Sequence, residues 1–267
     1  MELSDELSDE QVHRYARHIL LPEIGGVGQA RLLTARVLVV GAGGLGSPLL
    51  LYLAAAGVGT IGIVDDDVVE LSNLQRQIAH TTAMLGLAKV ESAAVAARAI
   101  NPDVRVEPHQ VRLSPSNAMD LIGRYDVVAD GSDNFATRFL VNDACFFSGK
   151  PLVSAAILRF YGQLATFRPS NGPCYRCLFP EPPPPEPPAC AESGVLGAVT
   201  GVLGALQATE VIKEILRIGN SMAGALLIYD ALSTTFRRVS VKPDPGCSLC
   251  GSVPTLRDLS SHVYPSA

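Results

Sequence analysis

The chain has 267 residues, 48% of them hydrophobic and 18% charged, with a formal net charge of −5. That apolar content supports a sizeable core, in one large domain or two small ones. The acidic balance offers nothing to recruit nucleic acid or an anionic membrane, and Met1-Glu2-Leu3-Ser4-Asp5-Glu6 lacks the basic and apolar regions of a secretory signal, so a cytoplasmic location is expected.

Taken in chain order, residues 8–33 read as mostly helical and carry Arg14, Tyr15, Arg17 and His18. The β-branched run Arg36-Val37-Leu38-Val39-Val40 reads as a buried strand. Glycines at G-x-G-x-x-G spacing follow it: Gly41, Gly43 and Gly46. They permit a tight turn and bring backbone N–H groups close to a phosphate at a helix N-terminus. That helix is expected over residues 47–56, with Ser47 as N-cap and Pro48 at the first helical position. A second strand, Thr60-Ile61-Gly62-Ile63-Val64, ends in Asp65, where a ribose-binding carboxylate belongs. The chain therefore opens with a nucleotide site.

An irregular polar segment, 66–86, leads to a helix over 89–100 that Asn101-Pro102 stops. A strand over 104–111, a short helix over 117–124 and a strand over 126–130 come next. The loop Gly131-Ser132-Asp133-Asn134, a helix over 135–147 and a strand over 151–157 complete the alternation. This pattern predicts an α/β fold, a doubly wound, Rossmann-like, mainly parallel sheet with ligands at the carboxyl ends of its strands.

The rhythm then changes. Residues 161–167 and 225–241 alternate like antiparallel strands. Between them lie a cysteine pair, a proline-rich run (180–188) and a helix over 195–218. The proline run either bridges two parts of one domain or forms a lid over the nucleotide site. The most apolar stretch, 194–206, is too short to cross a membrane, and Gly197-x-x-x-Gly201 within it marks close helix packing, in the core or at a dimer contact. The tail after Cys250 reads as weakly ordered.

Six cysteines in a reduced compartment point to metal or catalysis before disulfides. Cys174-x-x-Cys177 and Cys247-x-x-Cys250 fit a structural four-thiolate zinc site that pins the C-terminus onto the middle of the chain. Ser72-Asn73-Leu74-Gln75-Arg76-Gln77 follows the second strand at the phosphate end of the sheet, and Lys89 opens the next helix. Two cations there suit phosphoryl transfer, although each alone reads as a solvated surface charge. Asp133 is placed to hold Mg²⁺; equally, it or Asn134 caps the following helix. Cys190, after the proline run, is either an activated thiolate or an idle cysteine. Cys145 reads as core, and His80 and His109 as surface or packing residues.

Together and in this order, Gly41-Ala-Gly-Gly-Leu-Gly46, Ser72-Asn-Leu-Gln-Arg-Gln77, Lys89, Ser132-Asp133-Asn134, Pro173-Cys-Tyr-Arg-Cys177 and Cys247-x-x-Cys250 resemble the MoeB/ThiF family, bacterial relatives of ubiquitin-activating enzymes. The resemblance runs from about Ser8 to Cys250 and treats residues 1–267 as one adenylation domain. Its parts are a helical segment (1–33), a nucleotide-binding half (34–157), an antiparallel half with the zinc site (158–250) and a tail (251–267). It implies adenylation, with ATP and Mg²⁺, of the C-terminal glycine of a ubiquitin-like sulfur-carrier protein ending in Gly-Gly, with release of pyrophosphate. Nucleotide contacts are implied for Gly41, Gly43, Gly44, Gly46, Asp65, Ser72, Asn73, Arg76, Lys89, Asp133 and Asn134. Among these, Gly44 would pack on the nucleotide, Asp65 bind the ribose, Asn73, Arg76 and Lys89 contact phosphates, and Asp133 serve Mg²⁺. Arg17 resembles an arginine that reaches into the neighbouring subunit's site, which implies a homodimer. Cys190 resembles a cysteine that in some members attacks the acyl-adenylate or joins sulfur transfer. A separate sulfur donor is implied, and the carrier's body is expected on the antiparallel half of the sheet. Three other readings remain at this point: an NAD-dependent oxidoreductase, which the glycine fingerprint and Asp65 fit equally well, a tRNA-modifying adenylating enzyme of the same superfamily, and a non-catalytic scaffold for a ubiquitin-like partner.

Overall fold

A computed structural model of the chain describes residues 7–169, 172–181 and 194–262. Most of the proline-rich run (182–188) and Cys190 lie outside the described residues. Three short helices come first: α1 (Asp9–Arg14), α2 (Ala16–Ile19) and α3 (Gly25–Thr34). Ser8 and Gln11 start α1 with a reciprocal capping box. The parallel half alternates β1 (Arg36–Val40), α4 (Gly46–Ala56), β2 (Thr60–Val64), α5 (Lys89–Ile100), β3 (Arg105–His109), α6 (Ala118–Gly123), β4 (Val127–Asp130), α7 (Phe135–Ser148) and β5 (Leu152–Leu158). The antiparallel half adds β6 (Tyr161–Phe167), a one-turn helix α8 (Tyr175–Leu178), the long α9 (Gly197–Leu216), β7 (Ala225–Asp230) and β8 (Thr235–Ser240).

All eight strands form one sheet in the order β3-β2-β1-β4-β5-β6-β7-β8. Pairing is parallel through β5 and antiparallel from β5 to β8. The expected doubly wound sheet with an antiparallel continuation is therefore present. Helices cover both faces of the parallel half. Val37 and Val39 of β1 join one core with Leu49 and Leu53 of α4, Val90 and Ala94 of α5, and Leu203 and Val211 of α9. Leu38 and Val40 join the other, with Ile122 of α6 and Phe139, Leu140 and Ala144 of α7. Burial on both faces explains why β1 reads as a continuous apolar run.

Two local expectations, on Ser47 and on the tail, are corrected, and the one on the Gly197–Gly201 pair is met at Gly197 alone. Ser47 is not the cap of α4: the helix begins at Gly46 after Leu45, and the buried Ser47 hydroxyl has no partner among the described residues. Gly201 of α9 faces open space, and the close contacts fall at Gly197, against the Gln75 carbonyl, and Gly204, against Pro48 and the Leu45 carbonyl. The tail is packed through His262: Leu259 is buried in the α6–α7 core, and the His262 Nε2 lies 2.8 Å from the Asp143 carboxylate.

Candidate functional site

The strand order reverses direction at β1, whose neighbours are β2 and β4. The loops that follow β1 and β4 diverge there, and in open α/β sheets that crevice is where ligands bind. It holds a cleft of about 310 Å³. Its floor is the glycine turn. Gly41 has φ +90°, and a Cβ on Gly46 would lie 1.8 Å from the Gly41 carbonyl oxygen, so the turn closes only with glycine at both positions.

The Asp65 carboxylate is tied to this turn. Its Oδ2 accepts from the Ala42 N–H at 2.8 Å and its Oδ1 from the Asp67 N–H at 2.9 Å. Burial pushes the Asp65 carboxyl up, and the charge of Lys89 with the two amides draws it partly back. Lys89 opens α5 with its side chain buried, and its Nζ pairs with Asp67 Oδ2 at 2.7 Å. Arg76 crosses the mouth of the turn. Its Nη1 donates to the Ser72 carbonyl at 2.9 Å, and its Cγ would lie 3.5 Å from a Cβ on Gly44. On the opposite wall the exposed Asp133 faces the cleft. Asn134 caps α7 through a 2.8 Å bond from the Thr137 N–H, which leaves the Asp133 carboxylate uncommitted to capping.

Of the nominated nucleotide contacts, Gly41, Gly43, Gly44, Asp65, Arg76, Lys89, Asp133 and Asn134 all line this one cleft. Gly46 lies beneath it. Ser72 and Asn73 are not among its lining residues: Asn73 is buried in its own turn, where its Oδ1 accepts from the Glu70 N–H at 3.2 Å. Arg17 is exposed on α2 and does not line its own chain's cleft. Sequence reasoning missed Asp67, the partner of Lys89, although three consecutive acids at the end of β2 signal it. It also missed Arg138, which is buried in the wall and donates to the carbonyls of Ser132 and, at 2.8 Å, Ala155, and so fixes the loop that carries Asp133. Thr200 of α9 packs on Gly44 from above, a contact no local pattern could reveal.

Away from the cleft, Cys174, Cys177, Cys247 and Cys250 converge, with all four sulfurs within 4.8 Å of one another. Adjacent sulfurs are 3.3 to 4.0 Å apart. Four thiolates about 2.3 Å from a tetrahedral ion would be spaced by roughly 3.8 Å, so the cluster fits such an ion with no position left for a substrate. The Asp244 N–H, 3.4 Å from the Cys177 sulfur, supplies outer-shell support. Among the described residues no helix is long and apolar enough to cross a membrane.

Residues 15–249 match the ThiF family model. The chain is 54% identical over 258 residues to the pig (Sus scrofa) adenylyltransferase and sulfurtransferase MOCS3, covering 96% of this chain and 57% of that one. It is 52% identical over 256 residues to the sulfur carrier protein adenylyltransferase of Thermus thermophilus, covering 94% of each. Among solved structures, E. coli MccB bound to a MccA variant superimposes with a TM-score of 0.79 at 21% identity, covering 92% of this chain and 76% of that one, a likeness of fold alone.

Proposed function

The chain belongs to the ThiF family, and from that premise we propose that it adenylates the C-terminal glycine of a ubiquitin-like sulfur-carrier protein. A carboxylate oxygen of that glycine attacks the α-phosphorus of ATP, pyrophosphate leaves, and the carrier ends as an acyl-adenylate primed for sulfur transfer. One observation carries this: Arg76, Lys89 and Asp133, distant in sequence, line one cleft around a phosphate-sized glycine turn. Attack of an anion on a triphosphate is opposed by charge. Preorganised cations in a partly dry site offset that repulsion better than water does. Arg76 and Lys89 would hold the phosphates, Lys89 exchanging Asp67 for them, and Asp133 would hold a Mg²⁺ that neutralises the departing pyrophosphate. Asp65 would take the ribose with the oxygen lone pairs its two amide bonds leave free. Ser72 and Asn73 would act through the turn that places Arg76.

The four cysteines would bind zinc structurally. Arg17, exposed and outside its own cleft, supports a homodimer in which each copy completes the other's site. The expected docking face for the carrier is supported by Tyr161, Leu232, Phe236 and Val239, all exposed on the antiparallel half. A separate sulfur donor would then supply the sulfur. Names among its relatives point the same way as the cleft. The chain spans 57% of the length of the pig relative.

Incubation with ATP, Mg²⁺ and each candidate carrier, followed by intact mass measurement, tests the proposal. The expected result is a carrier heavier by one AMP, with carrier-dependent exchange of pyrophosphate into ATP. No adduct and no exchange with any carrier, together with tight binding of NADH, would overturn it.

A further inference from the structure

Of its two readings, surface or packing, His80 takes the second: it is buried with both ring nitrogens hydrogen-bonded. It is 5% exposed and sits directly under the glycine turn. Its Nε2 lies 2.9 Å from the Ala42 carbonyl oxygen, and its Nδ1 lies 2.9 Å from the Ser92 hydroxyl of α5. A carbonyl oxygen can only accept, so Nε2 carries the proton. Burial, reinforced by the nearby Lys89 charge, holds the ring's pKa below the ordinary histidine value against the pull of the Ala42 bond and Asp65. The ring is therefore neutral, and its bare Nδ1 accepts from Ser92.

Ala42 is thus gripped at both ends. Its N–H goes to Asp65, and its C=O receives His80. A trans peptide is planar, with its C=O and the following N–H pointing in opposite directions. Drawing the Ala42 carbonyl down onto His80 therefore turns the Gly43 N–H away from His80. Gly43 lines the cleft, and among the described residues its N–H has no protein acceptor.

We propose that His80 is the positioning residue that aims the Gly43 amide at an anionic oxygen of the bound nucleotide, with Ser92 setting the angle of the ring. The nucleotide's identity rests on the adenylation reading above, whereas the clamp itself does not. Asp65 and His80 share the task from either side of one residue, Asp65 holding the Gly41–Ala42 peptide and His80 the Ala42–Gly43 peptide. Asp65 alone would leave the Ala42–Gly43 peptide free to rotate and the turn without a fixed donor.

Two measurements on the full chain separate the clamp from the reaction. Amide exchange by mass spectrometry, on the peptide covering Leu38 to Leu50 without nucleotide, reports the clamp directly. The kinetics of carrier-dependent pyrophosphate exchange report its use. His80→Leu should speed exchange in that peptide by about tenfold and raise KM for ATP by a similar factor, with KM for the carrier within about twofold of the parent. His80→Gln, whose side-chain amide N–H reaches where Nε2–H lay, should restore both to within about threefold. Ser92→Ala, which keeps the ring but frees its angle, should give a smaller change in the same direction and serves if His80→Leu does not fold. Unchanged exchange in His80→Leu, or in Ser92→Ala if His80→Leu is insoluble, would overturn the clamp. So would equal losses in the Leu and Gln variants, or equal rises in KM for ATP and carrier. A parent protein that exchanges no pyrophosphate with any carrier while the peptide result holds would overturn the adenylation reading alone.

Discussion

At the scale of single residues, the cleft is a set of charges already paired before any ligand arrives. Lys89 rests on Asp67, and Arg76 on the Ser72 carbonyl. Arg76 is only half-buried and can be removed with little effect on folding, whereas Lys89 is buried and its removal also tests the fold. Arg76→Ala and Lys89→Ala should each lower kcat/KM for carrier-dependent pyrophosphate exchange by about 10²–10³-fold. Thermal unfolding of Arg76→Ala should stay within about 2 °C of the parent, since the side chain is only half-buried and bonds to the Ser72 carbonyl of its own turn. Loss of stability matching the loss of activity would show the charge to be structural. Most of this cleft was legible because its residues sit at fixed offsets from strand ends, where chemistry depends on backbone placement. What stayed hidden depended on partners far along the chain. His80 read only as a surface or packing residue because nothing local marks the Ala42 carbonyl as its acceptor, and Thr200 meets Gly44 only once α9 has folded over the turn.

At the scale of elements, α9 is the piece that closes the site. It runs along α4 and across β5 and β6, and its register depends on two glycines. A Cβ on Gly204 would lie 2.4 Å from Pro48 Cγ and 2.8 Å from the Leu45 carbonyl oxygen, whereas one on Gly201 would meet nothing within 4 Å. Gly204→Ala should therefore destabilise by about 1–3 kcal/mol in urea unfolding. Gly201→Ala should be neutral or stabilise by up to about 1 kcal/mol, because alanine is the better helix former. A reversed order would mean that α9 does not seat on α4. The elements themselves were readable from period and punctuation: Asn101-Pro102 ends α5, and alternation marks β6 to β8. Of the G-x-x-x-G pair only Gly197 makes its close contact within the chain, since spacing gives candidate contacts but not which face of a helix meets its neighbour.

Over the whole molecule, a buried ionic cluster joins the four-cysteine segment, α7 and the tail. Asp143, fully buried, receives both nitrogens of Arg176, the Asn142 amide and His262. Burial alone would raise its pKa. The bonds from His262, Arg176 and Asn142, with the Arg176 charge, outweigh that and hold it below the ordinary 3.8. A depressed acid stabilises the fold above its unfolded pKa and loses that contribution as pH falls through the folded value. Asp143→Asn should thus cost about 3 kcal/mol at pH 7, with the gap to the parent narrowing only below about pH 4. Denaturation across pH 7 to 3 checks this; a gap independent of pH would mean that the carboxylate charge contributes nothing. Cys247→Ser should lose its equivalent of zinc by elemental analysis and lower Tm by roughly 10 °C, from about 3 kcal/mol of lost stability.

The sulfur cluster also has a direction in time. Cys174 meets Cys247, and Cys177 meets Cys250, each 73 positions later. During synthesis the first pair leaves the ribosome long before the second, with α9, β7 and β8 still to come. The core that the parallel half shares with α9, and the contact of Thr200 with Gly44, can therefore be completed only after the first cysteine pair has been made, and the four sulfurs come together last.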